Sequence, residues 1–229
     1  MPGVNSAPGA ACAKFWGVIV TWHGAGAIRI QQGDLVVALG PVSKRSKLKP
    51  SSFGADVALL PIRHEDADGE DAVSRGDKEP FVARTPGEYE TNGLFLRGFA
   101  TRSSYGGEPA PNTCFSFQID DCNVLYLGAT ENDDIPTEAK EEMADTDMLF
   151  VPIGGEGTLD PAKAYKLAVR REPKVIIPIF YGDGVGAKDA LQKFLREAGA
   201  EGVEPVEKLT VRRRDLEKMA AQVVVLAAS

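Results

Sequence analysis

Residues 55–71 read ADVALLPIRHEDADGED, from Ala55 to Asp71. Asp56–Leu60 is a continuous apolar run, not an alternating one, which predicts a strand buried on both faces. It stops at Pro61. One histidine, His64, then stands among Glu65, Asp66, Asp68, Glu70 and Asp71. A strand end that opens into packed imidazole and carboxylate is where metal-hydrolase folds place their ligands.

On the N-terminal side, Val18–Trp22, Ala27–Gln31 and Leu35–Leu39 read as strands, with Gln32-Gly33-Asp34 as a hairpin turn. The segment Val42–Phe53 is basic and polar and reads as a loop. After the acidic stretch Glu65–Lys78, which has room for a short helix, come a strand at Phe81–Arg84, a turn at Thr85–Glu88 and a strand at Leu94–Phe99. A Gly-, Ser- and Pro-rich loop is expected over Thr101–Pro111. Thr113–Ile119 and Asn123–Leu127 form a hairpin around Asp120-Asp121.

The second half changes character. Helices are expected at Thr137–Met143, at Pro161–Arg171 with proline in the first turn, and at Gly186–Ala198, ended by Gly199. Strands are expected at Asp147–Pro152, Lys174–Pro178, Leu209–Val211 and Gln222–Leu226. A β-rich meander followed by β-α-β-α units gives an α+β (α/β) architecture, a four-layer αββα sandwich. Residues 1–14 read as a disordered leader, and residues 15–229 as one domain.

The 229 residues carry 26 Lys and Arg against 33 Asp and Glu, a net charge of −7. That balance argues against a nucleic-acid partner, which needs a basic face. No run is long enough to span a bilayer, and the N-terminus lacks the pattern of a signal peptide. Three cysteines, Cys12, Cys114 and Cys122, without regular spacing argue against a disulfide framework and fit the cytoplasm.

Several blocks, in order, resemble metallo-β-lactamase (MBL) fold proteins, in particular the small bacterial group like ascorbate-phosphate lactonase. Thr21-Trp22-His23-Gly24 resembles the opening W-x-G-H-S turn. Ala55–Leu60 resembles the strand before the H-x-H-x-D-H signature. Pro86–Glu90 matches a P-G-E-Y-E block, and Asn112-Thr113 an N-T pair. Leu125–Gly128 resembles the strand leading to a bridging aspartate. Asp147–Gly155 and Val175–Tyr181 resemble D-V-L-L-I-P-V-G-G and V-I-P-M-H-Y. The resemblance implies the αββα sandwich and a hydrolase chemistry in which two divalent metals activate a bridging hydroxide.

The positions that would hold those metals carry other side chains. Without a gap, Ile62-Arg63-His64-Glu65-Asp66-Ala67 stands at H-x-H-x-D-H, so His64 and Asp66 match while Ile62 and Ala67 replace histidines. A shifted alignment, His64–Gly69, again keeps one histidine and the aspartate. Ala25 stands at the W-x-G-H-S histidine, Gly40-Pro41 at a D-P pair, Ala129 at the bridging aspartate and Phe180 at the last histidine. His23 and His64 are the only histidines in the chain. A vestigial cleft is therefore expected around Ala25, Ile62, His64, Asp66, Ala67, Ala129 and Phe180, with no catalytic or metal-binding residues and no cofactor. Phe180 would fill the old metal space, with Ala67 and Ala129 making room.

The expected function is a catalytically inactive binding or assembly protein, paired with itself or with an MBL-fold partner. The alternative is a hydrolase of a lactone, ester or phosphoester using one zinc or manganese held by His64, Asp66 and Asp133 or Asp134. Other features read structurally. His23 is strand-end packing, and the carboxylates of residues 65–71 form a solvated turn without calcium-loop spacing. Gly154–Gly157 and Gly182–Gly184 are tight turns lacking a P-loop lysine. Thr130–Asp134 caps a helix. Cys114 and Cys122 lack the basic neighbours that activate a thiol.

Overall fold

Alternating burial along the strands sorts their side chains between two packed cores. The computed structural model describes residues 17–137, 140, 145–170, 172–182 and 184–229. The leader expected over residues 1–14 and most of the helix expected over Thr137–Met143 lie outside them.

Strands β1 (Val18–Trp22), β2 (Ile28–Gln32), β3 (Leu35–Leu39), β4 (Val57–Leu59), β5 (Phe81–Ala83) and β12 (Leu209–Val211) form one sheet in the order β12-β1-β2-β3-β4-β5. The second sheet runs β13 (Gln222–Val223), β11 (Val175–Ile179), β10 (Met148–Pro152), β9 (Cys122–Tyr126), β8 (Ala110–Ile119), β7 (Leu94–Ser103) and β6 (Gly87–Thr91). Ile28, Ile30, Val37, Leu39, Val57 and Leu59 of the first sheet and Leu96, Phe115, Phe117 and Tyr126 of the second belong to one buried core. Burying this apolar surface is the main favourable term in folding.

The quoted stretch behaves as its apolar run predicts. Val57 and Leu59 join the central core, while Ala58 joins Val36, Ala38, Ala55, Leu60 and Val73 in a second one. That second core is roofed by the single-turn helix α1 (Glu70–Val73) and by Phe53, so the outer layer on this side is thin. On the other side, α2 (Pro161–Val169) packs on β10 and on α3 (Ala190–Glu197). Asp160 caps α2 by accepting from the amides of Ala162 and Lys163.

Three expectations are corrected. The strands flanking the expected loop Thr101–Pro111 run on to Ser103 and restart at Ala110, leaving only residues 104–109 between them. Their polar side chains face inward and bond to one another, as described below. The turn expected at Thr85–Glu88 gives way to β6 from Gly87, which pairs with Gly98, and the Tyr89 hydroxyl donates back to Thr85 O at 2.6 Å. Helix α3 begins at Ala190, because Gly186 holds a φ of +65° that no α-helix contains. A short helix, α4 (Arg213–Leu216), was not foreseen.

Candidate functional site

The C-terminal ends of β3, β4, β9, β10 and β11 meet at one edge of the sandwich, the place where α/β sheets hold ligands. Loops bind one another there. Gly40 N donates to Leu59 O at 2.8 Å, Gly69 N to Pro41 O at 2.8 Å, Ser104 N to Gly157 O at 3.0 Å, and Phe180 N to Ala25 O at 2.8 Å.

Tyr105 occupies the centre of this edge. Its ring lies edge-on to His64, with centroids 4.8 Å apart, and edge-on to Phe180 at 5.2 Å. Its hydroxyl donates to Asp66 Oδ2 at 2.7 Å. Burial, reinforced by this bond to a carboxylate, holds the phenol well above its ordinary pKa, so it remains a donor. Asp66 Oδ1 accepts from the Ser46 hydroxyl. The Asp66 amide lies 3.2 Å from His64 Nδ1, and the same ring nitrogen lies 3.5 Å from Asp66 Oδ2.

Of the residues expected in the cleft, His64, Asp66 and Phe180 are brought together around Tyr105, and Ala25 is bonded to Phe180. Ile62, Ala67 and Ala129 are buried in the same core. Close fit around the Phe180 ring comes from Gly26, where a Cβ would lie 2.3 Å from Phe180 Cε2. Tyr105 was missed by sequence reasoning. Its only signal is that it is the single aromatic residue between Ser103 and Ala110.

Ala129, where the bridging aspartate was aligned, sits on a buried polar cluster. Asn112 Oδ1 accepts from Ala129 N at 2.9 Å. Asn112 Nδ2 lies 2.7 Å from Thr101 Oγ1, 3.0 Å from Leu127 O and 3.0 Å from Thr130 Oγ1. Cys114 Sγ joins this cluster, and burial pushes its thiol pKa up, which keeps it unreactive. Cys122 is likewise buried and raised to about 11, by burial and then by Asp147. Both are free cysteines. Thr130 serves this cluster, and the helix that residues 130–134 were expected to cap lies mostly outside the described residues.

Of the carboxylates in the quoted stretch, Asp71 stays exposed, as expected of a solvated turn, while Asp66 and Asp68 are largely covered. Asp68 and Glu70 both pair with Arg84, and Asp71 accepts from Lys44 N at 3.2 Å. Glu131 accepts from Ser104, and Asp133 pairs with Arg170 at 3.0 Å. His23 packs its ring on Phe53, centroids 4.6 Å apart, with Thr21 Oγ1 3.2 Å from Nε2. Its expected structural role agrees with that geometry.

A catalytic zinc is held by three protein donors. Among the described residues no group of three or more His, Cys, Asp or Glu side chains converges to hold one. Asp133 faces Arg170, so the set His64, Asp66, Asp133 and Asp134 does not assemble. The polar atoms of Asp66 and His64 Nδ1 are engaged with protein partners. The described residues do not fit the two-metal centre that the resemblance implies.

The architecture recurs in solved structures. A candidate Zn-dependent hydrolase of the metallo-β-lactamase superfamily from Thermotoga maritima superposes with a TM-score of 0.72 at 24% identity, covering 93% of this chain and 100% of that one. A candidate metal-dependent hydrolase from Parabacteroides distasonis gives 0.64 at 18% identity, covering 93% and 94%. The metallo hydrolase Igni18 from Ignicoccus hospitalis gives 0.59 at 20% identity, covering 85% and 98%. At these identities the likeness establishes the fold. Among the described residues no helix is long and apolar enough to cross a membrane. Residues 19–180 match the family described as the beta-lactamase superfamily domain, and with well over half of its length matched the chain belongs to that superfamily.

Proposed function

We propose that this superfamily member acts as a binding or assembly protein and not as a metal hydrolase. The observation that carries the reading is Tyr105, which stands between His64 and Phe180 with its hydroxyl on Asp66. An apolar ring in that position removes space for a metal, and the hydroxyl takes a lone pair that a metal would use. Cytoplasmic residence and assembly with a second copy, or with a metal-bearing relative of the same fold, are parts of this reading.

Metal analysis of protein purified without chelator, with assays on a generic lactone and a phosphodiester, tests it. The expected result is metal far below one per chain and no turnover above buffer. Zinc or manganese at one per chain, lost in His64→Ala, overturns it in favour of a hydrolase with a residual metal. Light scattering reports the assembly state, for which a stable oligomer is expected.

A further inference from the structure

The outward side of the first sheet has two unlike halves. Val18, Val20 and Trp22 of β1 and Ile28 and Ile30 of β2 lie in the central core, so by the two-residue period Ile19, Thr21, Arg29 and Gln31 point outward. Thr210 of β12 pairs with Ile19 and is exposed. On β3, Ala38 stands opposite Arg29 and Val36 opposite Gln31, and both belong to the second core. That core ends at Phe53 and does not reach β1 or β12. Ile19, Thr21, Arg29 and Gln31 are only half-buried. The outward side of β12, β1 and β2 is therefore a sheet face that the second core leaves uncovered.

This face is cationic in a chain whose net charge is −7, and its outward strand positions hold no carboxylate. Arg29 lies over the Phe53 ring, 6.0 Å from the centroid, and its Nη2 donates to Gln31 Oε1 at 2.5 Å. Arg75 donates from Nη2 to Gly54 O at 3.2 Å, next to Phe53 in the chain. Burial, and then the charge of Arg75, hold Arg29 below the usual guanidinium pKa. Arg212 continues β12 in extended backbone and flanks Gly17, where a Cβ would lie 3.1 Å from Arg212 Cγ. None of the three arginines forms an ion pair among the described residues. Asp56, close enough to feel the charge of Arg75, is engaged by Lys78 at 2.8 Å and by Val36 N at 3.0 Å.

Arginines that no carboxylate neutralises, set among short side chains, suit carboxylates supplied from outside. Arg29 is on the residue paired with Thr21, and Arg212 flanks Gly17. About 13 Å therefore separates them along β1, the reach of an extended segment with acids four residues apart. A duplex nucleic acid, with a charge every ~1.7 Å of its axis, would leave most phosphates unmatched on three cations and would be repelled by the net charge. A two-fold contact between copies through this face would set like charges together. We propose that the outward face of β12, β1 and β2 docks an acidic segment of a partner protein, with Arg29, Arg75 and Arg212 meeting its carboxylates and Ile19 an apolar side chain between them. The inference rests on the assembly part of the binding-protein reading, and the face shares no residue with the strand-end cleft.

Titration of the full chain into a fluorescent glutamate–tyrosine copolymer at low salt tests it, with duplex DNA and vesicles of phosphatidylserine and phosphatidylcholine as competing probes. Saturable copolymer binding that weakens with added salt is expected, falling at least ~tenfold in Arg29→Glu/Arg212→Glu. The same charge change on α2, Lys163→Glu/Lys166→Glu, should leave it intact. Arg75→Gln/Arg212→Gln, with an unchanged melting temperature, gives the readout should the charge-reversed protein misfold. No copolymer binding, or an equal loss in the α2 variant, overturns the inference. So does tighter binding of DNA or of vesicles. An oligomer that dissociates in the arginine variants, read by light scattering, also overturns it, since the face would then meet a second copy. Stoichiometric zinc with copolymer binding retained defeats the binding-protein reading alone, and metal-free protein that ignores the copolymer defeats this inference alone.

Discussion

The amide of Phe180 donates to the carbonyl of Ala25 at 2.8 Å, and both residues hold left-handed backbone, with φ of 56° and 45°. Each such non-glycine residue costs about 1 kcal/mol or more and persists only when its surroundings force it. The two positions are those that the sequence resemblance sets against histidines of the family, and in this structure both side chains are buried in the core.

Tyr105→Phe leaves the ring contacts and removes the donor to Asp66. The expected loss of stability is about 1–2 kcal/mol, from a largely covered carboxylate that loses one of its donors. Urea denaturation checks it: the midpoint should fall with the m-value unchanged. An unchanged midpoint would mean that water replaces the phenol without cost.

Asn112→Ala should be costlier, about 3 kcal/mol, because it strips partners from several buried groups at once. Ala129 N, Leu127 O and the hydroxyls of Thr101 and Thr130 all bond Asn112. Hydrogen exchange should locate the loss, with protection falling first at Ala129 and Thr130.

Gly26→Ala places a Cβ 2.3 Å from Phe180 Cε2 and 2.8 Å from Tyr126 Oη, both on buried rings that cannot yield easily. The expected cost is about 2–3 kcal/mol, read as a lowered melting temperature. Tyr126→Phe is the control for the hydroxyl share, since Tyr126 donates to Gly26 O at 3.0 Å.

His23 makes stability depend on pH. Burial, then Arg29 and Lys49, lower its pKa from 6.5 to about 4. The unfolded chain therefore takes up the proton first. Its contribution to stability is full above pH 6.5 and is lost as pH falls from 6.5 towards 4. With screening of a half-buried ring allowed for, the loss is about 1–2 kcal/mol. Comparing denaturation at pH 7 and pH 4.5 checks it: His23→Gln should flatten this part of the profile, and an identical profile would count against the buried-ring account.

Much of the architecture was legible because its signals are local. The Asp120-Asp121 hairpin turn follows from two residues that tolerate left-handed backbone, at φ of 50° and 57°. The strand ahead of Pro61 follows from an uninterrupted apolar run, and the start of α2 from Asp160 followed by Pro161. The errors fell where polar side chains face inward. Thr101, Ser103 and Asn112 look like loop residues until their partners across β7 and β8 are known.

The candidate site divides in the same way. The sequence by itself determined which residue types stand at the strand ends: Ala25, Ile62, Ala67, Ala129 and Phe180, with His64 and Asp66 beside them. Only the tertiary structure decided what those residues meet. Tyr105 lies 39 residues from Asp66 along the chain yet 2.7 Å from it in space. His64, Tyr105 and the turns at Gly106, Gly157 and Gly186 come to one cleft only after both sheets have packed. The physical reason is range: backbone propensity and burial act on neighbours in sequence, whereas hydrogen bonds and ring contacts are fixed by which faces of the two sheets close on each other.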